Sequence, residues 1–258
     1  MGRAIVITSG KGGVGKSTLC ANLALALIER GQKVLVVDAD TGLRKLDLLM
    51  GLQDRIVYDL TDAAQGMCRI KQAIVKSREV EGLHLIAAAQ NRDCASVTPG
   101  QMKALVKKLT DLYDVVLVDC PAGLDRGFST AISGAQEAIA VMLDEASCVR
   151  GAERLLGILK KEAHIPCQLV LNRVRYKKGE NSTERATELA EGLEIPLLGV
   201  LEEDEYVLAC AREGKLAAAQ KDARFAEGVR RIAGRLTGEK SEIPPVRRRT
   251  VWARIMGR

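Results

Sequence analysis

Short apolar runs alternate with longer amphipathic stretches along this chain, and each apolar run has the length of one buried strand. The runs predict strands at residues 4–8, 33–37, 83–88, 115–118, 138–143, 167–171 and 197–201. Helices are predicted over 19–30, 58–66, 69–76, 99–113, 147–163 and 223–236, with a short helix within 41–53. The apolar side of 99–113 carries Met102, Leu105, Val106, Leu109 and Leu112. This alternation indicates an α/β fold: a single domain with a twisted, mostly parallel sheet and helices on both faces.

The first predicted strand leads into GKGGVGKST, residues 10–18, which fits the phosphate-loop pattern G-x-x-x-x-G-K-[ST]. Glycine lets the chain turn sharply and approach a phosphate closely, and the N–H groups of the loop and the next helix point at the anion. Lys16 would neutralise phosphate charge, and the Ser17 hydroxyl would bind Mg²⁺. The predicted nucleotide contacts are Gly10, Lys11, Gly12, Gly13, Val14, Gly15, Lys16, Ser17 and Thr18. The sequence therefore predicts a P-loop NTPase.

Carboxylates follow two of the predicted strands. The strand at 33–37 leads into Asp38 and Asp40, and the strand at 115–118 leads into Asp119. Ligands of parallel α/β sheets bind at the carboxyl ends of the strands, beside the phosphate loop. Asp119 fits the Walker B position, where a carboxylate orients water on Mg²⁺; the alternative is an Asp that only caps the strand end.

The composition fits an ordinary folded protein, with 47% hydrophobic and 28% charged residues among 258. No apolar run reaches the ~18 residues of a membrane span, and the first strand begins too early to leave room for a signal peptide. Seven cysteines without a C-x-x-C pair favour reduced thiols, so we expect a cytoplasmic protein.

Basic charge is concentrated at the C-terminus. Five of the 39 basic residues lie in 247–258, which has no acidic residue, so the other 246 residues carry 34 basic against 33 acidic side chains. We predict a domain over 1–236, a flexible tether over 237–246 and a basic amphipathic tail over 247–258. At helical spacing the tail places Val251, Trp252, Ile255 and Met256 on one side, with Arg254 opposite, as in helices that lie in anionic membrane surfaces. The alternatives are an unstructured basic tail and a tail that binds nucleic acid.

The second lysine of the loop, Lys11, makes the motif similar to the deviant Walker A loop of the MinD/ParA-type ATPases. Residues 38–60, 88–106 and 115–128 also resemble signatures of the members that place the division septum. The resemblance implies an ATP- and Mg²⁺-dependent ATPase, active as an ATP-bridged homodimer. It also implies a peripheral position on the inner face of the cell membrane in the ATP state and release after hydrolysis.

Roles for individual residues are also implied by the resemblance. Lys11 would reach the partner subunit's nucleotide and act in catalysis with Lys16 and with Asp40, which would position or deprotonate the attacking water. Ser17, Asp38 and Asp119 would form the metal site. Asn172 would read the adenine edge, with Arg173 beside it.

The implied partners are an anionic membrane, a MinC-like division inhibitor and a MinE- or DivIVA-type spatial regulator, with no specific nucleic acid. The chain departs from the family pattern at Asp144, Gly151, Glu202 and residues 215–216. Three other functions use related sites: a ParA-like DNA-partitioning ATPase, a regulator of flagellar number, and an iron–sulfur carrier. The nearly neutral body disfavours the first, and the lack of a cysteine motif disfavours the third.

Overall fold

A computed structural model describes residues 2–40, 45–89, 97–220 and 223–246, and its centre is one eight-stranded sheet. The strands are β1 (Arg3–Thr8), β2 (Val34–Asp38), β3 (Val75–Lys76), β4 (Leu83–Ile86), β5 (Val115–Asp119), β6 (Glu137–Met142), β7 (Cys167–Val174) and β8 (Leu197–Glu202). Their order across the sheet is β3-β4-β2-β5-β1-β6-β7-β8. All neighbours are parallel except β3 and β4, so the predicted mostly parallel α/β sheet is confirmed.

Helices cover both faces of this sheet, because parallel neighbours need a crossover between them. They are α1 (Lys16–Ile28), α2 (Leu46–Leu49), α3 (Leu60–Gln65), α4 (Ile70–Ala73), α5 (Pro99–Thr110), α6 (Arg126–Ile132), α7 (Ala146–Ile158), α8 (Ser182–Gly192), α9 (Glu205–Arg212) and α10 (Arg224–Leu236). A single π-helical turn, Leu159–Ala163, continues α7. Two mainly aliphatic clusters form the core of the described residues, one on each face of the sheet.

The register of the three central strands fixes the position of the loops that follow them. Ile7 of β1 lies opposite Asp119 of β5, and Asp119 lies opposite Asp38 of β2. The carboxyl ends of these three strands therefore lie side by side at the centre of the sheet. This is the place where a parallel α/β sheet binds its ligand.

The structure corrects the predicted elements at several points. Residues 75–76 form an antiparallel edge strand, whereas the sequence predicted the end of a helix. Leu112 is 47% exposed because α5 ends at Thr110, so Leu112 is not on the buried side. Three helices, α6, α8 and α9, were not predicted. Their first turns are capped by the side chains of Asp125, Asn181 and Asp204, which is a signal that the sequence does contain.

Residues 239–246 make hydrogen bonds to the body of the protein. The Arg235 guanidinium donates to the carbonyls of Ser241 and Glu242, at 3.0 and 2.6 Å. The Val246 N–H donates to the Ser182 hydroxyl at 2.9 Å, and Val246 is buried. The division of the chain into domain, tether and tail stays a prediction, since the tail lies outside the described residues. No helix that the structure describes is long and apolar enough to cross a membrane.

Replacement of Phe128 by alanine should cost about 3–5 kcal/mol of unfolding free energy, because its ring is fully buried in α6 against the sheet. Val57, which is 80% exposed, provides the control: Val57→Ala should change the unfolding free energy by no more than about 0.5 kcal/mol. Urea denaturation measures both. Equal effects of the two substitutions would contradict the assignment of α6 to the core.

Candidate functional site

The loop between β1 and α1 has the backbone that a phosphate cradle requires. Gly13 and Gly15 have φ values of 78° and 100°, in the left-handed region that residues with a Cβ rarely adopt. Gly15 is the N-cap of α1, so the positive end of this helix faces the loop. The N–H groups of the loop and of the first helical turn are the groups that would donate to a bound anion.

Lys16 lies inside this loop. It is only 8% exposed, and its Nζ donates to the Ser9 hydroxyl at 3.0 Å. The Ser9 hydroxyl in turn donates to the carbonyl of Lys11 at 2.7 Å. Lys16 therefore presents its charge from below the loop, where it can neutralise a bound phosphate.

Asp38 and Asp119 form a buried pair of carboxylates below the loop. The two residues lie directly opposite each other on β2 and β5, and both are almost fully buried. Burial raises the pKa of Asp119 to about 7, against the opposing effects of the Ser17 hydroxyl and the Lys16 ammonium. Burial and then the charge of Asp119 raise the pKa of Asp38 well above its ordinary value.

The residues around this pair fit a magnesium ion. Asp38 accepts hydrogen bonds from the N–H groups of Asp40 and Leu46, at 3.0 and 3.4 Å. Asp119 Oδ1 is buried and has no hydrogen-bond partner among the described residues. A cation would supply the missing interaction and favour the charged form of both carboxylates. Ser17, Asp38 and Asp119 supply oxygen atoms, the donors that Mg²⁺ prefers, and phosphate and water can complete its octahedron.

Lys11 lies on the outer side of the loop and does not share the cradle with Lys16. Its side chain is 45% exposed, and its Nζ contacts Glu145 at 2.9 Å and the Ser147 hydroxyl at 3.0 Å. The hydrogen bond with Glu145 raises the pKa of Lys11 and lowers that of Glu145. Both partners are at the start of α7, so a flexible cation is held at the surface of its own subunit.

Asn172 ties β7 to the phosphate loop. Its Nδ2 donates to the Val14 carbonyl at 2.8 Å, and its Oδ1 accepts from the Arg173 N–H at 2.9 Å. A Cβ on Gly15 would lie 2.3 Å from Asn172 Nδ2, so the amide also requires glycine there. The predicted contact with adenine stays a prediction, and it would require the amide to exchange these partners.

A cavity of about 350 Å³ opens beside Asn172 and Arg173, at the carboxyl ends of β6 and β7. Val246, the last described residue of the chain, lines the same cavity. Asp40 is half-buried two residues beyond the end of β2. The predicted membrane residues Val251, Trp252, Arg254, Ile255 and Met256 lie outside the described residues.

Sequence reasoning missed Ser9, Glu145 and Ser147. Ser9 precedes the motif by one residue, so the pattern itself contains no signal for it. Glu145 follows the carboxyl end of β6 by three residues, and β6 is the neighbour of β1 in the sheet. The rule that ligand-binding residues follow such strands could have found Glu145, had the strand order been known.

Three comparisons agree with this geometry. Residues 5–217 match the family model described as the CobQ/CobB/MinD/ParA nucleotide binding domain. The chain is 45% identical to the septum site-determining protein MinD of Bacillus subtilis over 93% of this chain and 90% of the relative. Its identity to the Synechocystis MinD is 42%, over 93% of this chain and 91% of the relative.

Solved structures give the same result. A chain of the MinC:MinD cell division protein complex of Aquifex aeolicus matches with a TM-score of 0.84 and 32% identity, over 93% of this chain and 98% of that chain. The Pyrococcus horikoshii MinD complexed with Mg-ADP matches with a TM-score of 0.83 and 32% identity, over 92% and 97%. A ParA family ATPase of Chlorobium tepidum, at 22% identity and a TM-score of 0.76 over 90% and 99%, shares the fold. The chain therefore belongs to the CobQ/CobB/MinD/ParA nucleotide-binding family, and within it to the septum site-determining MinD proteins.

Proposed function

We propose that this protein is a Mg²⁺-dependent ATPase of division-site placement that dimerises on ATP and binds an anionic membrane in that state. Relatives at 45% and 42% identity carry the name septum site-determining protein. The P. horikoshii relative was solved with Mg-ADP, which supports the same ligands at the loop of this chain. Hydrolysis of ATP would separate the dimer and release each subunit to the cytoplasm.

The observation that carries this proposal is the different placement of the two lysines of one loop. Lys16 is buried within the cradle, whereas Lys11 lies on the surface of the subunit, where its ammonium contacts Glu145 and Ser147. A cation on that surface can reach a phosphate bound to a second copy that faces it. Such a charge supplied in trans stabilises the transferring phosphoryl group, as arginine fingers do.

The chemistry then follows from the positions of the side chains. The loop N–H groups and Lys16 bind the phosphates, while Ser17, Asp38 and Asp119 would hold Mg²⁺ directly or through water. When bound, the ion neutralises phosphate charge. Asp40 follows the strand that carries Asp38, and there it would position or deprotonate the attacking water.

The tail would connect the nucleotide state to membrane binding. Val246, from which the tail continues, lines the cavity at Asn172. This cavity lies at the carboxyl ends of the strands, on the same side of the sheet as the phosphate loop. Each arginine near an anionic surface adds ~1 kcal/mol, and the four apolar side chains add to this. The cost of ordering the helix offsets much of this free energy, so one tail binds weakly. Two tails on one dimer gain roughly 10²–10⁴ in avidity. Dimerisation therefore decides whether the protein stays on the membrane.

The partners are proposed on the same basis. The Aquifex relative was solved in a MinC:MinD complex, which supports a MinC-like division inhibitor as a partner of this chain. A MinE- or DivIVA-type spatial regulator would act on the dimer. A nearly neutral body argues against DNA as the binding surface, since DNA binding requires a basic face.

Lys11→Ala should abolish ATP-dependent dimerisation and lower turnover at least ~100-fold, because the charge supplied across the interface is lost. The affinity of the monomer for Mg-ADP should change little, since Lys11 lies outside its own cradle. Lys103→Ala, at an exposed position of α5, is the control. Light scattering with a slowly hydrolysed ATP analogue and a steady-state ATPase assay measure both properties. Wild-type dimerisation and turnover in Lys11→Ala would contradict the proposal.

Asp119→Asn should lower the affinity for Mg²⁺ in the nucleotide complex by about 10–100-fold, because a neutral amide orients metal-bound water less well than a carboxylate. Asp111→Asn, an exposed position beyond α5, should behave as wild type. Titration of nucleotide binding with Mg²⁺ and with EDTA measures the effect. If Asp119→Asn kept the wild-type Mg²⁺ dependence, Asp119 would have no part in the metal site.

A chain that ends at Val246 should dimerise on ATP and hydrolyse it but should not sediment with phosphatidylglycerol vesicles. Trp252→Ala should weaken vesicle binding, because the ring lies on the predicted apolar side, and Thr250→Ala should not. Sedimentation of each chain with phosphatidylglycerol vesicles is measured in ATP and in ADP. Neutral phosphatidylcholine vesicles serve as the control for the anionic surface. Equal vesicle binding by the shortened and full chains would exclude the tail as the anchor. ATP-dependent binding to duplex DNA in place of vesicles would favour the partitioning function.

A further inference from the structure

A cavity of about 490 Å³ lies at the amino ends of β2, β4 and β5, at the opposite end of the sheet from the phosphate loop. Lys33 comes directly before β2, Gly82 comes directly before β4, and both line this cavity. Tyr113, which also lines it, lies two residues before β5, and β5 carries Asp119 at its other end. A strand of this length spans about 16 Å, so the cavity is separate from the nucleotide site.

Three lysines line this cavity, and no carboxylate among the described residues does. We call Lys33, Lys71 of α4 and Lys76 of β3 the cavity lysines. All three are exposed, and none forms an ion pair with a carboxylate that the structure describes. The Asp114 carboxylate accepts a hydrogen bond from the backbone N–H of Lys33 at 2.8 Å but does not pair with its ammonium. The cavity therefore carries uncompensated positive charge.

Protection of a sheet edge accounts for only one of these lysines. Lys76 lies on β3, at the edge of the sheet, and edge strands often carry lysine to prevent pairing with another chain. Lys33 and Lys71 belong to other segments, so this explanation does not apply to them. The Arg55 guanidinium donates to the backbone carbonyl of Lys76 and adds another cation beside the cavity. Four cations from separate segments thus lie in one region.

His84 and Tyr113 also line the cavity, and together they leave one hydrogen-bond donor without a partner. His84 Nδ1 and the Tyr113 hydroxyl are 2.9 Å apart. Burial, and then the charge of Lys76 opposite it on β3, lower the pKa of His84, so the imidazole is mainly neutral at pH 7 and has one N–H. The hydrogen bond between the two side chains uses either this N–H or the phenol O–H. In both tautomers the other donor has no partner among the described residues.

The rest of the lining is apolar. Ile74 and the ring of Tyr113 are partly buried, and Leu112 is 47% exposed. An exposed leucine among unpaired lysines can contact an apolar group of a ligand while the lysines contact its negative charges. The lining therefore fits a ligand that has both acidic groups and an apolar group.

We propose that this cavity binds an acidic segment of a partner protein, in which carboxylates flank an apolar side chain. Charge complementarity and the exposed leucine support a peptide of this kind. A recess fits a protruding peptide better than a flat membrane surface, and nucleic acid requires basic charge spread over a face. A partner at the amino ends of the strands would leave the phosphate loop at the carboxyl ends uncovered.

The test measures binding of an acetylated pentapeptide, Glu-Glu-Leu-Glu-Glu, to the full chain in Mg-ADP by nuclear magnetic resonance. The peptide should bind with a Kd below ~1 mM and shift the methyl resonances of Ile74 and Leu112. Replacement of all three cavity lysines by alanine should weaken binding at least ~10-fold, because the opposite charges are lost. The control replaces Lys103, Lys161 and Lys240, which are exposed outside the cavity, and changes the net charge equally. It should bind the peptide within twofold of the wild-type protein.

Two further measurements separate the charged and apolar contributions to binding. An increase of NaCl from about 0.1 M to about 1 M shortens the Debye length from ~10 Å to ~3 Å and should weaken binding severalfold. A peptide with glycine in place of leucine should also bind several times more weakly, because the apolar contact is lost. Peptide affinity that is unaffected by salt and by the loss of leucine would contradict the proposal.

Other results would also overturn the proposal. Equal peptide affinity in the two triple variants, or shifts confined to residues outside the cavity, would show that the cavity lysines do not form the site. Inorganic phosphate that displaces the peptide at equal concentration would make the cavity a site for free anions. If only the cavity variant lost binding to duplex DNA or to phosphatidylglycerol vesicles, the lysines would serve nucleic acid or membrane. Both triple variants should keep the wild-type ATPase rate, so failure of this proposal leaves the proposed function intact.

Discussion

The site depends on one constraint: the parallel register that places the carboxyl ends of β1, β5 and β2 side by side. This register brings the phosphate loop after β1, Asp119 of β5 and Asp38 of β2 to one place, although these elements are far apart in sequence. The two carboxylates cannot retreat into solvent, because each ends a fully buried strand. Their charge must therefore be neutralised by protons or by a cation.

Three contacts hold the phosphate loop, and they involve Ser9, strand β7 and helix α7. Lys16 binds Ser9 from below, Asn172 of β7 binds the Val14 carbonyl, and α7 packs against Gly10. The backbone carbonyl of Lys11 accepts a hydrogen bond from Ser9, whereas its ammonium contacts the exposed side chains of Glu145 and Ser147. Buried and part-buried contacts therefore hold the backbone of the loop, whereas the Lys11 ammonium lies at the surface.

Much of this arrangement could be predicted from the sequence. The apolar runs located seven of the eight strands that the structure describes, and the pattern of residues 10–18 predicted the phosphate loop, because both depend on local sequence. The partners of Lys11 and the contact between Gly10 and Gly151 could not be predicted, because they join residues more than 130 positions apart. The short strand β3 was missed because two residues carry no periodic pattern, and it forms only by pairing with β4. The two central carboxylates could be located at strand ends, but their pairing required the order of the strands.

The most direct test of the account is the ATPase rate per subunit as a function of protein concentration, with and without anionic vesicles. If two copies must face each other for hydrolysis, the rate per subunit should rise with concentration, and vesicles should shift the rise to lower concentration by confining the protein to a surface. A rate per subunit that stays constant over the whole range, with or without vesicles, would contradict a site that is completed by a second copy.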